Sequence, residues 1–466
     1  MSEAWLIRRA TLRTGEVVDV RVERGRVAAI AADLPATSAA TIDADLGLLI
    51  PGLHDHHIHL AATAALWRST RVGPPDIVDA PALAEILAAP GSGWLRGVGY
   101  HESVAGHIDR HWLDEAAPHR PVRIQHRSGR LWILNSLGLE SILALGLAPP
   151  AGLERVGGDY TGRLYDEDVW LRRALAGAPP PLDSVGAALA KFGVTGVTDM
   201  SPANDDAAAA YISAERDRGA LPQRVVIAGA LSLSEALGLA RGAAKLHLLE
   251  SALPDYDETV SFIRAAHLQE RPVAAHCVTE VELTFTLAAL REAGVRAGDR
   301  IEHASVTSEG LLQQIAGLGV AVVAQPNFVS ERGDSYRAAI APAEWPSLYR
   351  LRAFLAAGVP LAAGSDAPFG APDPWAAMAA AVTRRTSAGE ILGAEEALTP
   401  EEALDLFLAD PSDLSQHRAL RVGAPADLCL LSQPWAKARN CLHSDLVRAT
   451  FVDGRSIHQR VDKPPL

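Results

Sequence analysis

A chain of 466 residues, 48% of them hydrophobic, can bury one large barrel core or two to three smaller ones. Its formal charge of −13, from 43 Lys+Arg against 56 Asp+Glu, lacks the basic face that nucleic-acid binding needs. Cys277, Cys429 and Cys441 are too few and too scattered for a disulfide framework or a cysteine zinc cluster, and no apolar run reaches the ~18 residues of a membrane span. With no signal peptide at the N-terminus, a cytoplasmic protein is expected.

In chain order, residues 5–50 read as short strands. Val18 to Val22, a turn at Arg24-Gly25 and Arg26 to Ile30 form a hairpin with glycine at its turn. A predicted strand from Gly47 to His59 follows and contains Pro51-Gly-Leu-His-Asp-His-His-Ile-His59. Alternation puts His57 and His59 on one face with Asp55 below them, and two imidazoles so spaced can chelate a divalent cation. Residues 61–182 are too long for one crossover and hold their own strand, Val122 to His126. They read as an insertion covering the mouth of the site.

The pattern then repeats strand, loop, helix. Predicted strands are Thr195 to Met200, Arg224 to Ala230, Ala244 to Leu249, Val273 to Cys277, Arg300 to His303, Ala321 to Gln325 and Leu361 to Asp366. Predicted helices are Asp183 to Lys191, Ala207 to Asp217, Glu258 to Gln269, Val281 to Ala293, Ser308 to Ala316 and Ser347 to Ala356. With Gly47 to His59 this makes eight strands, the content of an α/β fold of the (β/α)₈ TIM-barrel type spanning 51–414. Asp427 to Leu431, Leu446 to Val452, an Asp453-Gly454 turn and Arg455 to Ile457 return to hairpin chemistry. Segments 1–50 and 415–466 are expected to build one small composite β-sandwich domain, because neither alone has enough apolar faces.

Barrel enzymes build their sites at the C-terminal ends of the strands. Those ends carry His57, His59, Lys245, His276, His303 and Asp366. Singly, each has an ordinary explanation, a satisfied histidine or an aspartate capping a helix. Four histidines and an aspartate, each at a strand end where a barrel builds its site, point together to a metal site.

At these residues the chain resembles the amidohydrolase superfamily, in the family 3 branch that includes N-substituted formamide deformylases. Pro51 to His59 matches the signature Pro-Gly-x-x-Asp-x-His-x-His, His276 and His303 match the fifth- and sixth-strand histidines, and Asp366 matches the eighth-strand aspartate. Asn135-Ser136, Thr161 to Leu164, Gln325-Pro326 and Gly423 to Leu428 match further features of the branch. The resemblance implies two divalent ions, zinc foremost with cobalt or manganese as alternatives. His57, His59 and Asp366 would hold one, His276 and His303 the other. Lys245 lies among apolar residues, where desolvation lowers a lysine pKa and lets the neutral amine add carbon dioxide. In the family such an N6-carboxylated lysine bridges the metals and belongs with Asp366 to the catalytic set. The acidic residue that usually follows it stands one place late, as Glu250, so a lysine ion-paired to Glu250 or Asp366 is the competing reading.

The implied reaction is hydrolysis of a non-peptide amide-like C–N bond in a small molecule, an N-substituted amide, carbamate or urea, with Asp366 as general base and then acid. Homo-oligomerisation stays open. Arg130, Trp132, His101, Phe328, Arg332, Tyr336 and Trp345 are the candidates for substrate contact. Arg130 stands where the branch commonly has histidine, and His247 shares a face with Lys245. A mononuclear deaminase would need His-x-x-Glu, whereas His276-Cys-Val-Thr-Glu280 sets the glutamate one place too far. Phosphotriester hydrolases usually lack the flanking β domain. A catalytically inactive scaffold would have lost ligands, yet all six positions are filled.

Overall fold

The first barrel strand, β1 (Leu53–Ile58), begins an eight-stranded parallel sheet whose strands follow sequence order. The others are β2 (Val194–Asp199), β3 (Arg224–Gly229), β4 (Ala240–Leu246), β5 (Val273–Cys277), β6 (Arg300–His303), β7 (Ala321–Ala324) and β8 (Leu361–Ala363). A parallel bridge from Ile58 to Ala367 brings the last strand's end back to the first, so the sheet is a nearly closed barrel. Every residue of β1, β2, β6 and β7 is buried, the pattern of parallel strands covered on both faces. The computed structural model describes residues 4–36, 39–175, 179–234 and 238–460.

The predicted helices lie at Asp183–Lys191, Asp206–Asp217, Tyr256–Leu268, Glu280–Ala293 and Glu309–Leu318. Their starts are set by local chemistry. Asp205 and Asp255 accept backbone N–H groups of the first turn, and Thr279 with Glu282 forms a capping box. The predicted helix from Ser347 to Ala356 divides into a 3₁₀ turn, Pro342–Ser347, and a helix, Leu351–Ala356. Tyr349 separates them in the left-handed region at φ 50°, its N–H donated to the Ser305 carbonyl.

Two predicted strands differ instructively. Gly47 to His59 is not one strand. Leu49–Pro51 pairs antiparallel with Leu428–Leu431 in another sheet, and β1 starts only after Gly52. A Cβ on Gly52 would lie 2.0 Å from Thr195 Cγ2, so only glycine lets the chain pass between the sheets here. Gly52→Ala is therefore expected to cost about 1–3 kcal/mol of stability through overpacking. Chemical denaturation would check this, and an unchanged midpoint would show that Thr195 can move aside. Strand β4 begins and ends earlier than predicted, because a register shift against β3 between Ile227 and Gly229 slides its pairing. His247 and Leu249 consequently lie beyond its end.

Two four-stranded sheets flank the barrel sequence. One runs Arg26–Ala31, Val17–Glu23, Trp5–Thr11, Ala40–Asp43, and the other Arg455–Gln459, Val447–Val452, Leu428–Leu431, Leu49–Pro51. A single buried cluster draws Ile7, Val20 and Val22 from the first and Leu428, Leu430 and Phe451 from the second.

Residues 61–180 form a separate compact unit. Val122–His126 is one of six strands there, beside Leu95–Tyr100 and Leu131–Leu134, over a core that includes Leu83, Leu87, Ile124 and Ile133. Among the described residues no helix is long and apolar enough to cross a membrane.

Candidate metal centre

At the end of β1, His57 and His59 turn toward the end of β8. His59 Nε2 lies 3.1 Å and His57 Nε2 3.4 Å from Asp366 Oδ1, and donor atoms of these three residues fall within 4.8 Å of one another. The arrangement needs unusual backbone. Asp366 sits at φ 54° and His303 at φ 75°, left-handed conformations that cost a non-glycine residue about 1–3 kcal/mol. Asp55 holds the first of these in place. Its buried carboxylate accepts the Ser365 N–H at 3.0 Å, the Ser365 hydroxyl at 2.6 Å and the His57 N–H at 3.1 Å. The Asp366 N–H in turn donates to the His57 carbonyl at 2.7 Å. Burial pushes the Asp55 carboxyl up to about 6, against the pull of these hydrogen bonds.

Each of three histidines has its Nδ1 engaged, the arrangement by which an outer partner orients a metal-binding imidazole. His57 Nδ1 meets Glu302 Oε2 at 2.5 Å, His59 Nδ1 meets Ser201 Oγ at 3.1 Å, and His303 Nδ1 meets Gln325 Oε1 at 2.7 Å. The rings of His276 and His303 stand edge-on with centroids 4.4 Å apart, and His303 is 4.9 Å from His57. Burial, reinforced by neighbouring charges such as Lys245, drives His57 and His303 well below the ordinary imidazole range and His276 to about 3. Neutral rings present lone pairs, the form in which imidazole binds a cation.

Lys245, on β4, is 6% exposed, and its Nζ has no hydrogen-bond partner among the described residues. It makes no ion pair there with Glu250 or Asp366. The Glu250 backbone N–H is instead bonded to Glu282, 2.9 Å away. Burial lowers the Lys245 ammonium to about 8, against the attraction of Glu302. Imidazoles held neutral around a carboxylate are a donor set that suits a divalent cation. His247 lies exposed, its ring 4.9 Å from that of His276. Glu280 opens the helix Glu280–Ala293.

The candidates for substrate contact have other partners. In the 61–180 unit, Arg130 forms a bidentate pair with Asp166, both contacts 2.7 Å. Trp132 is buried in that unit's core, with the Arg96 and Arg123 guanidinium groups 5.5 and 5.7 Å from its ring. His101 caps the short helix Glu102–Ala105 and stacks on His126. In the barrel, Phe328 is buried under Arg332, and the Tyr336 hydroxyl lies 2.9 Å from that of Tyr349. Trp345 donates to the Ile340 carbonyl at 3.1 Å. An aromatic residue beside His59 is Phe369, which the sequence did not single out. It is 60% exposed and edge-on to His59 at 5.7 Å, its carbonyl accepting from Arg332 at 2.6 Å. Its position just after Gly-Ser-Asp366-Ala-Pro was the available signal. Glu302 and Ser201 were missed because their partners are 245 and 142 residues away.

A sequence profile of the amidohydrolase family matches residues 40–458. The chain is 25% identical to an N-substituted formamide deformylase of Arthrobacter pascens, over 95% of both chains. Its fold is similar to that of an uncharacterized metal-dependent hydrolase from Pyrococcus horikoshii OT3, with a TM-score of 0.77 at 18% identity, over 95% of this chain and all of the other. It is also similar, with a TM-score of 0.56 at 18% identity, to N-isopropylammelide isopropylaminohydrolase from Burkholderia multivorans, over 97% of this chain and 98% of the other. With a profile match that spans most of its length, the chain belongs to the amidohydrolase family and is a metal-dependent amidohydrolase.

Proposed function

We propose that this protein hydrolyses the amide-like C–N bond of a small N-substituted amide, carbamate or urea. The observation that carries the proposal is the convergence of His57, His59 and Asp366 near the buried Lys245 amine, which has no hydrogen-bond partner among the described residues. His57, His59 and Asp366 would hold one divalent ion and His276 with His303 a second, zinc foremost, with Lys245 joining them as a carbamate. Bound there, such ions supply Lewis acidity and bring the pKa of water toward ~7. Asp366, 6% exposed and held by its own backbone bond to β1, takes the proton of the attacking water and returns it to the leaving nitrogen. Phe369 offers an apolar surface at His59 for a substituent. The likeness to a formamide deformylase supports a small acyl group on that nitrogen.

The cluster shared by the two four-stranded sheets supports their reading as one composite β-sandwich, with the barrel as the hydrolase domain and 61–180 as its insertion. The thiols of Cys277, Cys429 and Cys441 are free, which suits a reducing cytoplasm.

Lys245→Ala tests the site directly. Metal content and turnover are expected to fall together, with partial rescue of both by added acetate or propionate. A variant that keeps two ions per chain and wild-type rates on formamides, carbamates and ureas would overturn the proposed arrangement.

A further inference from the structure

Glu302 belongs to β6, yet its carboxylate serves a histidine of β1. It is fully buried, with Oε2 2.5 Å from His57 Nδ1. A carboxylate oxygen at this distance is the natural acceptor for an Nδ1–H, the tautomer that turns the Nε2 lone pair toward the site. That nitrogen faces Asp366 Oδ1 at 3.4 Å. Arg300 lies behind the carboxylate as its ion-pair partner, its Nε 2.6 Å from Glu302 Oε1 but not aligned to hydrogen-bond it, and its Nη2 donates to the His56 carbonyl at 3.2 Å.

The backbone is shaped for this. In a regular strand, adjacent residues point to opposite faces, so Glu302 and His303 could not both approach His57. The left-handed φ of 75° at His303 breaks the alternation and brings its ring within 4.9 Å of the His57 ring, while Glu302 keeps its contact. The partners of His59 and His303 are neutral, a hydroxyl and an amide oxygen, whereas His57 meets an anion. An anionic partner on Nδ1 fixes the ring and makes Nε2 a stronger donor.

We propose that Glu302 is a positioning residue for the metal centre, locking the His57 tautomer and strengthening its bond to the ion shared with His59 and Asp366. The inference rests on the proposed metal site, and the experiment separates the two. Zinc affinity of the full-length chain would be measured by competition with a chromophoric chelator for wild type, Glu302→Gln and Arg300→Met, alongside the melting temperature of each metal-free protein. Glu302→Gln is expected to bind zinc about 10–100-fold more weakly, with activity recovered in excess zinc. Arg300→Met breaks the same buried ion pair but leaves the carboxylate on His57, and is expected to weaken zinc binding clearly less than Glu302→Gln does. Should Glu302→Gln fail to fold, Glu302→Asp keeps the charge beside Arg300 but is a methylene short of His57, and should weaken zinc similarly. Equal weakening in the glutamine and methionine variants would make the ion pair merely structural and overturn the inference, as would wild-type affinity in Glu302→Gln. A wild-type chain that binds no zinc, cobalt or manganese would remove the metal reading itself.

Discussion

Exhaustive chelation is expected to reduce turnover to below about one percent, with zinc, cobalt or manganese restoring it. The magnitude follows from what the site would lose. Free water has a pKa of ~15.7 against ~7 at a suitable metal, so nearly all nucleophile at neutral pH disappears with the ions. Stability should report the same event. Ions that bind only the folded chain stabilise it by about 2.7 kcal/mol at a hundredfold excess over Kd. The metal-free protein should therefore melt a few degrees lower while keeping its circular dichroism, because the barrel core does not depend on the site. A chelated preparation, verified free of metal by mass spectrometry and still fully active, would remove the basis for the mechanism.

Asp366→Asn should be nearly as damaging, for a different reason. Asparagine can still offer a carbonyl oxygen toward His57 and His59, and its backbone bond to the His57 carbonyl is untouched. It tolerates left-handed backbone at least as well as aspartate, so the φ of 54° adds no new strain. What it cannot do is accept a proton. Turnover is expected to fall by about 10²–10⁴-fold with much of the metal retained. Near-normal turnover with full metal would assign proton transfer elsewhere, and His247, whose exposed ring lies against His276, would be the next group to replace.

The barrel strands were legible because buried parallel strands are short runs rich in apolar residues between turns and helices. Val273–Cys277 and Arg300–His303 were read to the residue. Strand β4 was misplaced because a register shift leaves no mark in hydrophobic pattern, and only Val122–His126 of the sheet in 61–180 was read because neighbours such as Leu95–Tyr100 and Asp159–Tyr165 are interrupted by glycine. The supports of the histidines were invisible for a deeper reason. Arg-Ile-Glu-His reads as an ordinary charged strand end until closure of the barrel brings Glu302 to His57. Phe369 likewise acquires meaning only once β8 is seen to deliver it to His59.

The clasp between Asp55 and Ser365 joins residues 310 positions apart, and the contact between His59 and Asp366 spans 307. Contacts of that separation form late, because the entropy of closing so long a loop must be met before they contribute anything. A ribosome-bound chain or a truncated one thus has His57 and His59 long before it has Asp366, and a histidine pair alone is a weak trap for metal. Loading of the ion would then report that the last strand has reached the first, so the cofactor itself certifies a finished barrel.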